Sequence, residues 1–210
     1  MKSRMKKILG LMAFLCLFAF SGKAVLTSYA ETSGTCGDNL TWTLSDSGTL
    51  TISGTGRMYD YPRGSDPPWY SERGSITSIV IEDGVTYIGH YAFAFCSSLT
   101  SVTIGADVDS IGGAAFAQCT SLESVTIGEG VESIGDSAFS HCTSLGSVTI
   151  PGSVKSIEYT AFYDCTSLES VTIGEGVESI GDSAFTGCTS LESVTIPNSV
   201  EIIGDRKSVV

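Results

Sequence analysis

Positive charge is the scarcest commodity in this chain: Lys+Arg number 11 against 23 Asp+Glu, for a formal net charge of −12 and a pI near 4.4. Such a chain has no basic face with which to neutralise a phosphate backbone, which excludes nucleic acid as a partner class. Anionic membrane surfaces are disfavoured for the same reason. Long apolar runs are also missing, apart from one that extends from Ile8 to Phe20. That run is shorter than the roughly 20 residues needed to cross a hydrocarbon core. Histidine is limited to His90 and His141. Charged residues make up only 16% of the chain while hydrophobic residues make up 42%, so the sequence describes a globular protein and not a disordered one.

The positive charge that does exist gathers at the N-terminus. Lys2, Arg4, Lys6 and Lys7 precede the Ile8–Phe20 run, and Ser28-Tyr29-Ala30 supplies small residues where a signal peptidase reads them. Residues 1–30 are therefore expected to be a cleaved secretory leader. Its removal takes away five basic residues and no acidic one, leaving 6 basic against 23 acidic, or −17.

Internal repetition dominates what remains. Ile88, Ile111, Ile134, Ile157, Ile180 and Ile203 each follow the last by 23 residues. Phe93, Phe116, Phe139, Phe162 and Phe185 keep the same step, each preceded by alanine and each followed three residues later by Cys96, Cys119, Cys142, Cys165 or Cys188. Leu99, Leu122, Leu145, Leu168 and Leu191 come next, then a Val-Thr-Ile triplet, and then a valine at 108, 131, 154, 177 or 200.

In Ser124-Val125-Thr126-Ile127 the β-branched residues alternate with hydroxyl residues, the period of a half-buried strand. Gly128, Pro151 or Pro197 stops that strand. The stretch from Ile134 to Phe139 then reads as a turn into a short helical or 3₁₀ segment on the opposite side. One unit is too small to bury its own apolar stripe, so identical units must stack, with a parallel strand ladder spaced by about 4.8 Å.

The recurrent pattern Cys-x-x-Leu-x-x-Val-x-Ile-Pro-x-x-Val-x-x-Ile-Gly-x-x-Ala-Phe-x-x-Cys, running roughly from Ser75 to Gly204, resembles the bacterial leucine-rich repeats of the BspA type, also called the Treponema pallidum type. The preceding segments Gly34-Thr35-Cys36-Gly37, Leu40 to Leu44, Gly48 to Gly56 and Pro67-Pro68-Trp69 resemble the N-terminal part of secreted Firmicutes members. The resemblance implies an α/β leucine-rich-repeat solenoid, or horseshoe. It also implies a secreted or surface-exposed binding protein, of a kind linked to adhesion to host glycoproteins and to other bacteria. It brings no catalytic residues, so no enzymatic activity is expected.

Four segments are expected: the leader (1–30), an N-terminal β cap (31–74), the solenoid (75–204) and a non-native or truncated tail (205–210). In the cap, Leu40, Trp42 and Leu44 alternate, Ser45-Asp46-Ser47-Gly48 forms a turn, and Leu50 and Ile52 alternate again, which makes a β-hairpin. Trp42 and Trp69 are suited to cover the apolar end of the stack. Alternatively, Tyr59, Tyr61, Trp69 and Tyr70 form an aromatic platform for a sugar. The tail is anomalous because the template requires Ser-Ala-Phe after Asp205, where the chain reads Arg206-Lys207-Ser208-Val209-Val210.

Five cysteines fall in one column, where parallel side chains in a ladder do not face each other, so reduced, structural thiols are expected. A linear column gives the wrong arrangement for zinc, and no metal or cofactor is expected. His141 beside Cys142 suggests a thiol with its base, but Phe95, Gln118, Asp164 and Gly187 fill the same place in other units. His90 is similarly isolated.

The candidate binding face is the solvent side of the strands: Ser101, Thr103, Ser124, Thr126, Ser147, Thr149, Ser170, Thr172, Ser193 and Thr195. These hydroxyl ladders either bind an extracellular protein or glycan, or are simply solvated β-formers. Glutamates at 123, 169 and 192 flank them. The expected function is adhesion from a secreted or extracellular position, with wall attachment through a region beyond Val210. The alternatives are a structural spacer that displays a further domain, or the targeting region of a secreted hydrolase.

Overall fold

The computed structural model describes residues 32–62 and 65–204. The expected leader at 1–30 and the anomalous tail at 205–210 both lie outside the described residues. The strands are β1 (Thr32–Thr35), β2 (Leu40–Leu44), β3 (Thr49–Gly54), β4 (Gly56–Arg57), β5 (Ser78–Ile81), β6 (Val85–Ile88), β7 (Ser101–Ile104), β8 (Ser110–Ile111), β9 (Ser124–Thr126), β10 (Ser133–Ile134), β11 (Ser147–Ile150), β12 (Ser156–Ile157), β13 (Ser170–Ile173), β14 (Ser179–Ile180), β15 (Val194–Thr195) and β16 (Ile202–Ile203). They form a parallel-strand solenoid with an antiparallel hairpin at its N-terminal end.

The Val-Thr-Ile triplets form the expected ladder. Val102 pairs with Val125, Val148 with Val171 and Val171 with Val194, so each strand lies one repeat from its neighbour. The ladder is in two panels, β1-β2-β3-β5-β7-β9 and β11-β13-β15. Pro151 removes one inter-coil bond at the break. Where Gly105 and Gly174 donate their N–H to the carbonyls of Ile81 and Ile150 (2.9 Å each), proline has no proton to offer Ile127. Pro197 occupies the same slot two coils later in the same panel, where the β13–β15 pairing shrinks to two residue pairs.

A second ladder, not foreseen from the sequence, runs along the Ser-Ile dipeptides in the order β16-β14-β12-β10-β8-β6-β4. Ser110, Ser133, Ser156 and Ser179 stack in register with the isoleucines beside them. The glycine that follows the isoleucine lets adjacent coils approach closely: a Cβ on Gly135 would lie 2.7 Å from the carbonyl oxygen of Ile111.

On the third side the structure departs from the expected helical or 3₁₀ segment. Among the described residues the one helical element is a 3₁₀ turn at Tyr70–Glu72, which lies in the cap. The repeats instead use a chain of turns. Ser137, Phe139 and His141 donate their N–H groups to the carbonyls of Tyr159, Ala161 and Tyr163 on the next coil (2.9, 2.8 and 2.7 Å), while Ala138, Ser140 and Cys142 bond three residues back within their own coil. Every second donor is thus committed between coils, which an α-helix does not allow. Ser137 and His141 hold left-handed φ values of 56° and 58°. This costs on the order of 1 kcal/mol each and is offset by the inter-coil bonds.

The core consists of columns. Phe93, Phe116, Phe139, Phe162 and Phe185 stack nearly parallel, with centroids 5.2 to 5.3 Å apart. Trp69 extends this column by one ring, 5.2 Å from Phe93 and 15° from parallel, and its indole N–H donates to Ala92 O at 2.9 Å. Trp42 meets Trp69 edge-on at 5.7 Å. The hairpin is built into the solenoid as well as laid over it. β3 pairs parallel with β5, Leu50 opposite Ile79 and Ile52 opposite Ile81, so the cap supplies the first rung of the ladder. On its outer side, β1 closes the sheet with the exposed polar strand Thr32–Thr35, a safe edge against further strand addition.

Candidate binding face

The strand register brings the ten hydroxyl residues onto one surface. Ser101 and Ser124 pair directly, as do Thr103 and Thr126. In the second panel Ser147 pairs with Ser170, and Thr149 with Thr172, which in turn pairs with Thr195. Ser193 immediately precedes β15. All are exposed except Ser101, which is half-buried. Their alternation with Val102, Val148 and Val171, buried on the other face, follows from the two-residue period of a strand.

None of the ten hydroxyls makes a hydrogen bond among the described residues, whereas hydroxyls at the neighbouring corner of several coils are committed. Thr100 donates to Thr77 O (2.9 Å) and Ser144 to Thr120 O (2.7 Å). The face therefore presents donors and acceptors every 23 residues that are satisfied only by solvent or a ligand. Glu123, Glu169 and Glu192 border it and are exposed. The proline break divides it into an N-terminal panel ending at Thr126 and a C-terminal panel beginning at Ser147.

The cysteines contribute nothing reactive to this surface. All six described cysteines are free and buried. Cys119, Cys142, Cys165 and Cys188 each donate their thiol to the carbonyl of the phenylalanine 26 residues earlier, at 3.2 to 3.3 Å. Burial pushes the Cys96 and Cys142 thiols up to about 12, so they stay protonated near neutrality.

His141 is directed away from Cys142. Its Nδ1 lies 3.0 Å from Asp164 Oδ2 on the next coil, and its ring stands edge-on to Tyr163. His90 Nδ1 accepts the N–H of Gly113 at 2.6 Å. Neither histidine addresses an accessible nucleophile among the described residues.

The aromatic cluster suggested by the cap sequence divides. Trp69 is fully buried in the phenylalanine column, and the Tyr59 hydroxyl donates to Asp38 at 2.9 Å. Tyr61 and Tyr70 instead line a cavity with Tyr91 and Phe95, two residues of the first complete repeat.

The family model of the BspA type leucine-rich repeat region matches residues 68–173 and 110–207, with 6 copies. Among solved structures, the chain is similar to a Treponema pallidum leucine-rich-repeat protein (25% identity, 81% of this chain and 85% of that one, TM-score 0.64). A leucine-rich cell surface protein from Faecalibacterium prausnitzii is also similar (29% identity, 82% and 50%, TM-score 0.56). A leucine-rich-repeat protein from Eubacterium ventriosum shares the fold (24% identity, 84% and 62%, TM-score 0.60). The chain thus spans 62% of the Eubacterium protein and half of the Faecalibacterium one. A search of curated proteins found no significant match. No helix among the described residues is long and apolar enough to cross a membrane.

Proposed function

Because the chain belongs to the BspA-type leucine-rich-repeat family, we propose that it is a secreted or cell-surface binding module that adheres to host or bacterial surface proteins or glycans. The binding surface in this reading is the strand face from Ser101 to Thr195. The observation that carries it is the row of ten exposed or half-exposed hydroxyls, in strand register and without partners among the described residues. Export is supported by the leader-like N-terminal sequence and by the similarity to a protein described as a cell surface protein.

The net acidity of the chain favours partners with neutral or basic contact surfaces. Adhesion here is non-covalent, by hydrogen bonds from a rigid array, and requires no reacting group. The test is saturable binding of the purified protein to immobilised extracellular-matrix proteins and mucin glycans. Replacing both Thr126 and Thr172 by arginine should weaken the response at least about tenfold, or about 1.4 kcal/mol. No saturable binding to any of these surfaces would leave the spacer reading in its place.

A further inference from the structure

We propose a second binding site, on the side of the second ladder, that takes the guanidinium group of an arginine side chain from a partner protein. An open groove of about 320 Å³ runs across four coils there, from Tyr87 and His90 next to the cap to Glu158, with Gly112, Gly113 and Asp136 between them. Every residue that lines it falls between Tyr87 and Glu158. Its size is at the small end of ligand clefts, which run from roughly 300 to 1,000 Å³, and suits a single side chain.

Two departures from the repeat shape this groove. The first is Glu158. Gly89, Gly112, Gly135, Gly181 and Gly204 hold the same place in the other units, and at Gly112 and Gly181 a Cβ would lie 2.6 Å from a backbone atom of the preceding coil. The slot is thus built for glycine, yet one coil carries a long carboxylate there, with its inter-coil bond to Ile134 O intact at 2.9 Å. Folding alone gives no reason for that residue. Ser156 Oγ donates to Glu158 Oε1 at 2.8 Å, which holds the carboxylate at the end of the groove and leaves Oε2 to accept from a partner.

The second departure is Gly113. The corresponding residues of other coils are His90, Asp136, Tyr159 and Asp182, so the missing side chain opens the wall between His90 and Asp136. The Gly113 N–H donates to His90 Nδ1 at 2.6 Å, which places the imidazole proton on Nε2. That N–H is then a donor for a main-chain carbonyl of the partner.

Fixed groups close the cap end. Tyr87 is 7% exposed, donates its hydroxyl to Asp60 Oδ1 at 2.9 Å and has the Arg57 guanidinium 3.9 Å from its ring centroid. Arg57 repels a second cation at this end. At the other end Asp136 and Glu158 bring carboxylates from adjacent coils, spaced by about 4.8 Å.

A planar guanidinium is the cation that such a pair selects. Its N–H groups form a rigid fork that meets two carboxylates at once, while its stem packs over the bare glycine backbone. Two carboxylates are too few ligands for a tightly held divalent cation, and among the described residues no three His, Cys, Asp or Glu side chains gather as a metal site. Lys155, the one Lys or Arg between Ser75 and Gly204, is engaged with Glu178 at 3.5 Å, and the field around the groove is accordingly negative.

The site lies apart from the strand face, and its test does not depend on that reading. The purified full chain would be titrated calorimetrically with N-acetylarginine amide, N-acetyllysine amide, N-acetylcitrulline amide as the neutral isostere, and calcium chloride. Three variants would be compared: Glu158→Gly, Asp136→Asn and Glu201→Gln, the last removing an exposed carboxylate outside the groove. The expected result is saturable binding of the arginine amide, weakened about tenfold in the first two variants, unchanged in Glu201→Gln, and absent for the citrulline amide. The unfolding midpoint of Glu158→Gly should equal the parent's or exceed it, because glycine restores the repeat. Any of four results would overturn the site: no saturable binding of the arginine amide at tens of millimolar, undiminished binding in either groove variant, an equal loss in Glu201→Gln, or the lysine amide, citrulline amide or calcium bound as tightly as arginine. A lowered midpoint in Glu158→Gly would overturn it too, by showing that the carboxylate serves folding.

Discussion

The first and the last described coils of the solenoid carry the same repeat in different surroundings. At the N-terminal end the phenylalanine column continues into Trp69, which is 1% exposed, with Trp42 against it and the hairpin supplying an extra rung. In the last described coil Ile196 and Ile203 are 39 and 63% exposed, although Ile150 and Ile157 in the equivalent places are almost completely buried. The side chains are the same, so the difference lies in the neighbour. A coil of this length buries its apolar stripe only against another coil or a cap, and stability should therefore be graded along the stack.

The largest effect that would break this comparison is at the capped end. Trp69→Ala removes a fully buried ring and its bond to Ala92, and should destabilise by about 3–5 kcal/mol in urea unfolding. Phe185→Ala, the half-buried last ring of the same column, should cost less than half as much. Equal losses would mean that the cap end is not privileged.

An intermediate effect comes from alkali. The Cys96 and Cys142 thiols are raised by burial from 9.0 to about 12. The stability linked to them is fully present below pH 9 and is lost as pH rises toward 12, because the unfolded chain ionises first. Urea midpoints measured from pH 8 to pH 11 should fall progressively above pH 9. At neutral pH a thiol reagent should reach Cys188, 9% exposed in the last Cys-bearing coil, before the completely buried Cys119, Cys142 and Cys165.

The smallest effect on stability is expected in the last described coil. Replacing Ile202 and Ile203 together by serine should change monomer stability by about 0.5 kcal/mol or less. The same change should reduce concentration-dependent self-association in sedimentation, since an exposed apolar strand edge is an adhesive surface. An unaltered sedimentation profile would show that this coil does not drive association.

How much of this was legible in the sequence depended on how many residues carried each signal. The main ladder was readable because Val-Thr-Ile is long enough to show a two-residue period and recurs with fixed spacing. The second ladder rests on two residues per coil, such as Ser133-Ile134, too short a run to display any period. The turns between Ala114 and Gln118, or Ser137 and His141, look helical in the sequence because the left-handed positions carry ordinary residues; only Gly187 in that column signals positive φ. Pro151 was correctly read as ending its own strand. Its effect on the neighbouring strand was not, since a missing inter-coil donor appears only once the coils are in register. The hydroxyl face was legible as a surface. The cavity at the cap was not, because it joins Tyr61 and Tyr70 to Tyr91 and Phe95 across a boundary that the repeat pattern treats as an end.

Native-state hydrogen exchange tests the graded stack most directly. The amides of Glu82 and Gly105, donating to Ile52 O and Ile81 O in the rungs next to the cap, should show the highest protection, that of Gly181 less, and that of Gly204, donating to Ile180 O in the last described coil, the least. Uniform protection along the coils, or greater protection at Gly204 than at Gly105, would contradict the claim that each coil owes its stability to the neighbour that covers it.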